Sequence, residues 1–170
     1  MTREHNLTFE EMRGLLYRRD VAVSQHRAAL ARSLGLTDVE MLALIHVDAQ
    51  GEMAPSAIAA LLHLSSGGAT ALVQRLERRG HVTRHPHPTD RRSILIGLSP
   101  ATATLLAEAY APLERGMASV AAALGDGERA AVAEVFTQLA SLSEELDTSL
   151  RREPQREPEV PVRPVPSLWA

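Results

Sequence analysis

The 170-residue chain has no cysteine, and all eighteen of its basic residues are arginine, so it has no lysine either. Without thiols, disulfides, thiolate metal sites and thiol-based redox switches are excluded. No apolar run reaches the ~18 residues that a membrane-spanning helix needs, so no membrane partner is expected. The opening stretch, MTREHNLTFEEMRG, is too charged for a secretory signal, and a cytoplasmic location is expected. No G-x-S-x-G, P-loop or dinucleotide fingerprint is present, and no enzyme is expected. The all-arginine bias suits phosphate and guanine recognition, although genomic composition produces the same bias. His85-x-His87 offers two imidazoles, but Pro86 and Pro88 disturb the strand that would align them, and no acid stands at ligand spacing. No metal or cofactor is expected.

What is there divides by charge and by pattern. The chain is 45% apolar, enough for one domain with a core. From His63 to Arg92, six arginines face two acids, a net +4. From Ala101 to Leu150, two arginines face eight acids, a net −6. A basic middle beside an acidic flank fits a chain of which one part meets a polyanion.

The periodicities predict a mainly α fold of about six helices with a small β-wing. Thr8–Arg32 repeats Leu16, Val23 and Leu30 at sevens, with Met12 and His26 on the same stripe. Thr37-Asp-Val-Glu40 is a capping box opening a second helix to about Ala49, ended by Gly51. Pro55 opens a short third helix to Leu62. Ser65 or Ser66 caps a fourth, which runs to Arg79 and stops at Gly80. His81–His85 and Ser93–Leu98 alternate as strands around a stiff Pro86–Arg92 loop. Ala101–Leu124 and Glu128–Leu150 are Ala/Leu-rich helices, and Pro112 should kink or break the first. The second carries Val132, Val135, Leu139, Leu142, Leu146 and Leu150 on a coiled-coil-like seam. Arg151–Ala170 is proline-rich and reads as a disordered tail.

Two helices joined by a tight turn and followed by a hairpin make a winged helix-turn-helix, whose second helix enters the major groove. Here that helix reads SSGGATALVQRLERRG. Leu72, Val73 and Leu76 form its inner side. Ser65, Ser66, Gly67, Thr70, Gln74 and Arg75 are the expected DNA contacts, with Arg84 on the wing. Gly67-Gly68 weakens the helix by about 1–2 kcal/mol, for which close approach to a DNA backbone would compensate. At the hairpin tip, Asp90 is placed to brace Arg92, so that Arg91 and Arg92 can enter a narrow minor groove. A surface ion pair alone contributes only about 0–1 kcal/mol, so stability is a poor reason for it.

The segment Ala54–Ser99 resembles the MarR family of bacterial transcription regulators. The resemblance rests on the wing pattern Asp90, Arg92, Leu98, Ser99 and on LSSGGATALVQRLERRGHV, and in layout it extends over residues 8–150. It implies a homodimer formed by residues 8–34 and 101–150, with a winged DNA-binding domain at 36–99 that reads a palindromic operator in double-stranded DNA, most simply as a ligand-responsive repressor. It also implies a cleft for a small-molecule effector, near Tyr17, His26, His46 and Tyr110. A histidine on an apolar stripe is otherwise a core residue. The chain departs from the family at Gly67 and Gly68, where Ser or Thr is frequent, at Ala71, where a basic residue is frequent, and at His63, where the turn often has glycine. These departures keep an alternative open: a protein–protein module, or a small-molecule-binding protein, on a winged scaffold with reduced DNA binding.

Overall fold

The computed structural model describes residues 7–89 and 93–152. Its elements are α1 (Phe9–Ser33), α2 (Asp38–Gln50), α3 (Pro55–Leu61), α4 (Ser66–Arg78), β1 (Val82–Pro86), β2 (Ile94–Leu98), α5 (Pro100–Ala123) and α6 (Asp126–Arg152). The expected mainly α fold with a two-stranded wing is the one observed. The chain forms two compact units, Met1–Glu114 and Arg115–Ala170, divided inside α5 just after Pro112.

Local chemistry sets the helix starts. Thr8 and Thr37 each close a reciprocal capping box, with Glu11 and Glu40 respectively. Ser65 caps α4 by accepting the Gly68 N–H. The turn between α3 and α4 places His63 at φ 53°, a left-handed conformation that histidine adopts more readily than most residues. Gly35, at φ 64°, ends α1, and a Cβ there would come within 3.0 Å of the Arg79 side chain. Glycine at that position is asked for by the backbone, since the Arg79 guanidinium end could swing aside.

The core lies inside the first unit. Met41 and Leu44 of α2, Ile58 of α3, Leu72, Val73 and Leu76 of α4, Ile96 of β2 and Leu106 of α5 are fully buried. In α4, Ala69, Leu72, Val73 and Leu76 recur at three and four and make one inward stripe. β1 and β2 pair antiparallel from Val82↔Leu98 to Pro86↔Ile94. Met53, between α2 and α3, adds a bridge on the other edge of β2, exchanging hydrogen bonds of 3.0 and 2.8 Å with Ile96. The wing is thereby tied to the helix-turn-helix.

Two local expectations require correction. Pro86 is not a loop residue but the last rung of β1, where its missing N–H removes one ladder bond at most. His87 continues the ladder, donating its N–H to the Ser93 carbonyl at 3.1 Å. Of the two outcomes expected at Pro112, a kink or a break, the break does not occur, since α5 runs on to Ala123. The lost donor leaves only the carbonyl four residues earlier, at exposed Glu108, where water can serve it.

The remaining helices are bare by comparison. In α1, Ala31 is the buried residue, while Met12, Leu16, Val23 and Leu30 are half-buried and Leu15 and Tyr17 are exposed. In α6, Val132, Val135, Phe136, Leu142 and Leu146 are all exposed.

Candidate nucleic-acid interface

The inward stripe of α4 fixes what its other face presents. Ser65, Ser66, Gly67, Thr70, Ala71, Gln74, Arg75 and Arg78 are exposed, so the expected contact residues of the helix share one solvent-facing surface. The Thr70 hydroxyl donates to the Ser66 carbonyl at 2.8 Å and keeps lone pairs for another donor. The two glycines have different causes. A Cβ at Gly68 would approach the capping Ser65 Oγ to 3.2 Å, so the cap itself favours glycine there. A Cβ at Gly67 would meet nothing within 4 Å, so nothing in the fold asks for glycine at this exposed position.

Two carboxylates brace the helix. Glu40 of α2 is 3% exposed, and its Oε1 accepts the Arg75 Nε–H at 2.8 Å. Its Oε2 accepts the Thr37 backbone N–H at 3.0 Å and lies 3.9 Å from Arg79 Nη1. Burial alone would raise the Glu40 pKa. The Thr37 N–H, the Arg75 hydrogen bond and the Arg75 charge outweigh it and hold the carboxyl below the usual carboxylate range. On the far side of α4, Glu77 accepts the Arg84 Nε–H at 2.8 Å and joins the helix to β1. Arg84, expected as a wing contact, therefore also fixes the angle between wing and helix.

The sequence pattern marks Glu40 only as half of a capping box. Its bond to Arg75 spans thirty-five positions, and no local periodicity encodes such a contact. His81 has no local signal either. It lies between α4 and α5, with Nδ1 3.2 Å from Thr102 Oγ1. Burial and the nearby Arg79 charge lower its pKa, against the opposing pull of Glu40. Asp90, Arg91 and Arg92, the expected fingertip, lie outside the described residues.

Of the four residues expected near an effector, the structure brings two together. His26 and Tyr110 meet edge to face, ring centroids 5.3 Å apart. They line a cleft of about 250 Å³ with Ala22, Val23, Ala109, Pro112 and Leu113. Burial pushes the Tyr110 hydroxyl pKa up, outweighing the nearby Arg27 charge, so it stays a neutral donor. Tyr17 does not line this cleft: it is 70% exposed, on a shallow groove with Leu15, Arg18 and Gln25. His46 is half-buried on α2, away from the cleft lining.

Comparison with known proteins adds an independent finding. Residues 34–93 match the family model described as MarR family. Over 88 residues the chain is 34% identical to YcgE, an uncharacterized HTH-type transcriptional regulator of Bacillus subtilis. That match covers 52% of this chain and 56% of YcgE, so the chain spans about half the length of the curated relative it matches. The fold resembles that of transcriptional regulator Tm0710 from Thermotoga maritima, with a TM-score of 0.57 and 21% identity over 82% of this chain and 98% of that one. It also resembles a point mutant of MepR from S. aureus bound to an oligodeoxyribonucleotide, with a TM-score of 0.50 and 20% identity over 77% and 97% of the two chains. At these identities the structural likeness is one of fold. None of these matches indicates an enzyme.

Proposed function

We propose that the protein, whose residues 34–93 match the MarR family model, is a transcription regulator of that family that binds a palindromic operator in double-stranded DNA as a homodimer, acting in the cytoplasm as a ligand-responsive repressor. The observation that carries this reading is the division of α4. Its inner stripe is sealed in the core, while hydroxyl, amide and guanidinium groups of Ser65, Ser66, Thr70, Gln74, Arg75 and Arg78 face solvent. Such groups match base edges and phosphates in a major groove. The wing arginines, Arg91 and Arg92, would then reach toward the adjacent minor groove, with Asp90 holding Arg92. The DNA-bound state of MepR is a property of that protein and accords with this use of the fold.

Dimerisation is supported by the bare helices. Val132, Val135 and Leu142 repeat at three and seven along α6, and all are exposed. A second copy of the chain is the partner that two-fold recognition of a palindrome requires. The cleft at His26 and Tyr110 is apolar with two polar groups, the character of a small-molecule site, although its volume lies just below the usual range. A ligand seated there would act by binding one spacing of the two winged domains better than another.

The experiment is selection of a preferred duplex from a randomised pool by the full-length chain, followed by titration against a scrambled duplex at several salt concentrations. The reading expects a two-fold symmetric consensus with half-site centres about 10 bp apart, and affinity that falls steeply with salt. Equal affinity for both duplexes would turn the assignment toward a protein–protein module.

A further inference from the structure

The buried carboxylate under α4 does more than cap α2. We infer that Glu40 is a positioning residue of the DNA interface, holding Arg75 by Nε so that the rest of its guanidinium is presented to the duplex in one orientation. The inference rests on the regulator reading above and deepens it.

Three observations carry it. Glu40 is 3% exposed, whereas the Arg75 side chain remains 47% exposed, so the pair spans the boundary between core and surface. A guanidinium carries five N–H donors in a rigid plane. The one at Nε is spent on Glu40 at 2.8 Å, and donors remain on the exposed half for a base or a phosphate. Glu40 is itself fixed from below, because its second oxygen accepts both the backbone N–H and the hydroxyl of Thr37, at 3.0 and 3.1 Å. An unanchored arginine has many rotamers to lose on binding; one clamped at Nε has lost most of them before the duplex arrives. The Gly67 backbone is also open on this exposed face. With few side chains competing there, the aim of Arg75 carries more of the sequence preference.

The test uses Glu40→Gln and Arg75→Lys in the full-length chain, singly and together, titrated against the selected duplex and a scrambled one. Glutamine can still close the capping box. Its single carbonyl oxygen, however, can serve Thr37 or Arg75 but not both. Lysine keeps the charge but lacks the fork that binds acid and DNA at once. Each single variant is expected to lose at least about tenfold in preference for the selected over the scrambled duplex. The double variant should lose no more than about twofold beyond either single one, because both remove the same aimed group. Arg75→Lys sits at a half-exposed site and reads the link without touching the cap. If Glu40→Gln lowers the melting temperature but keeps the preference, or if the two losses multiply, the positioning role is overturned while the regulator reading stands. A wild-type chain with no preference overturns both.

Discussion

The winged part of the first unit and the long α6 of the second bury their apolar residues very differently. In the winged part, Met41, Leu44, Leu72, Leu76 and Ile96 are all at or below 1% exposure, each covered by side chains of the same chain. In α6, an equally regular set, Val132, Val135, Leu142 and Leu146, is 41–66% exposed. The same three-and-four spacing is sealed in one region and exposed in the other. The winged region is sealed by its own side chains, and the exposed seam of α6 is the surface that the proposed dimer would cover.

The sharpest way to break that contrast is to damage each region and ask whether the damage depends on concentration. Val135→Asp with Leu142→Asp places two charges on the exposed seam. It should weaken self-association at least about hundredfold, given roughly 1.5–3 kcal/mol for each large apolar side chain no longer buried, and operator binding should fall with it. Analytical ultracentrifugation over a range of concentrations reads this directly. Leu72→Ala, in the sealed core, should cost about 2–5 kcal/mol. If oligomer formation is not limiting, this appears as a drop in melting temperature of similar size at low and high protein concentration.

A smaller effect is expected at the wing. Arg92→Ala should weaken binding to the selected duplex by about tenfold and reduce the salt slope by about 0.9 for each phosphate that is no longer neutralised, with the melting temperature unchanged. Equal gel-shift affinity for variant and parent would remove the wing from recognition. The smallest effect concerns pH. A histidine whose folded pKa is lowered binds its proton more readily when unfolded, so its contribution to stability is complete above its ordinary value of about 6.5. That contribution is lost as pH falls from there toward the lowered folded value. His81→Asn should flatten that part of the stability curve in urea titrations. Glu40, also lowered, acts in a separate window, where stability falls only as pH drops from the ordinary carboxylate range through its depressed value.

How far the fold was legible follows from the range of the interactions involved. Thr37 and Ser65 announce helix starts because a cap is a contact between residues three apart, and Pro55 and Gly51 mark ends through their own backbone preferences. The apolar stripe of α4 announces which face turns inward, and hence which polar residues are left to solvent. The strand role of Pro86, the bridge from Met53 to Ile96 and the bond from Glu40 to Arg75 join residues whose neighbours in sequence give no sign of the partner. Of the four residues expected near an effector, two meet in one cleft. His26 and Tyr110 lie at facing positions of α1 and α5, whereas Tyr17 points along an exposed groove. A helical stripe specifies a face, but the depth of a side chain within that face is set by the element packed against it.

The central claim is that two copies of the winged head read one duplex together. Sedimentation of the full-length chain with its selected duplex, at physiological ionic strength and with a scrambled duplex in parallel, measures stoichiometry and preference at once. The account predicts two chains per selected duplex and, by the usual margin of specific over non-specific binding, a preference of at least about a thousandfold. A single chain per duplex, or equal occupancy of both duplexes, would contradict it.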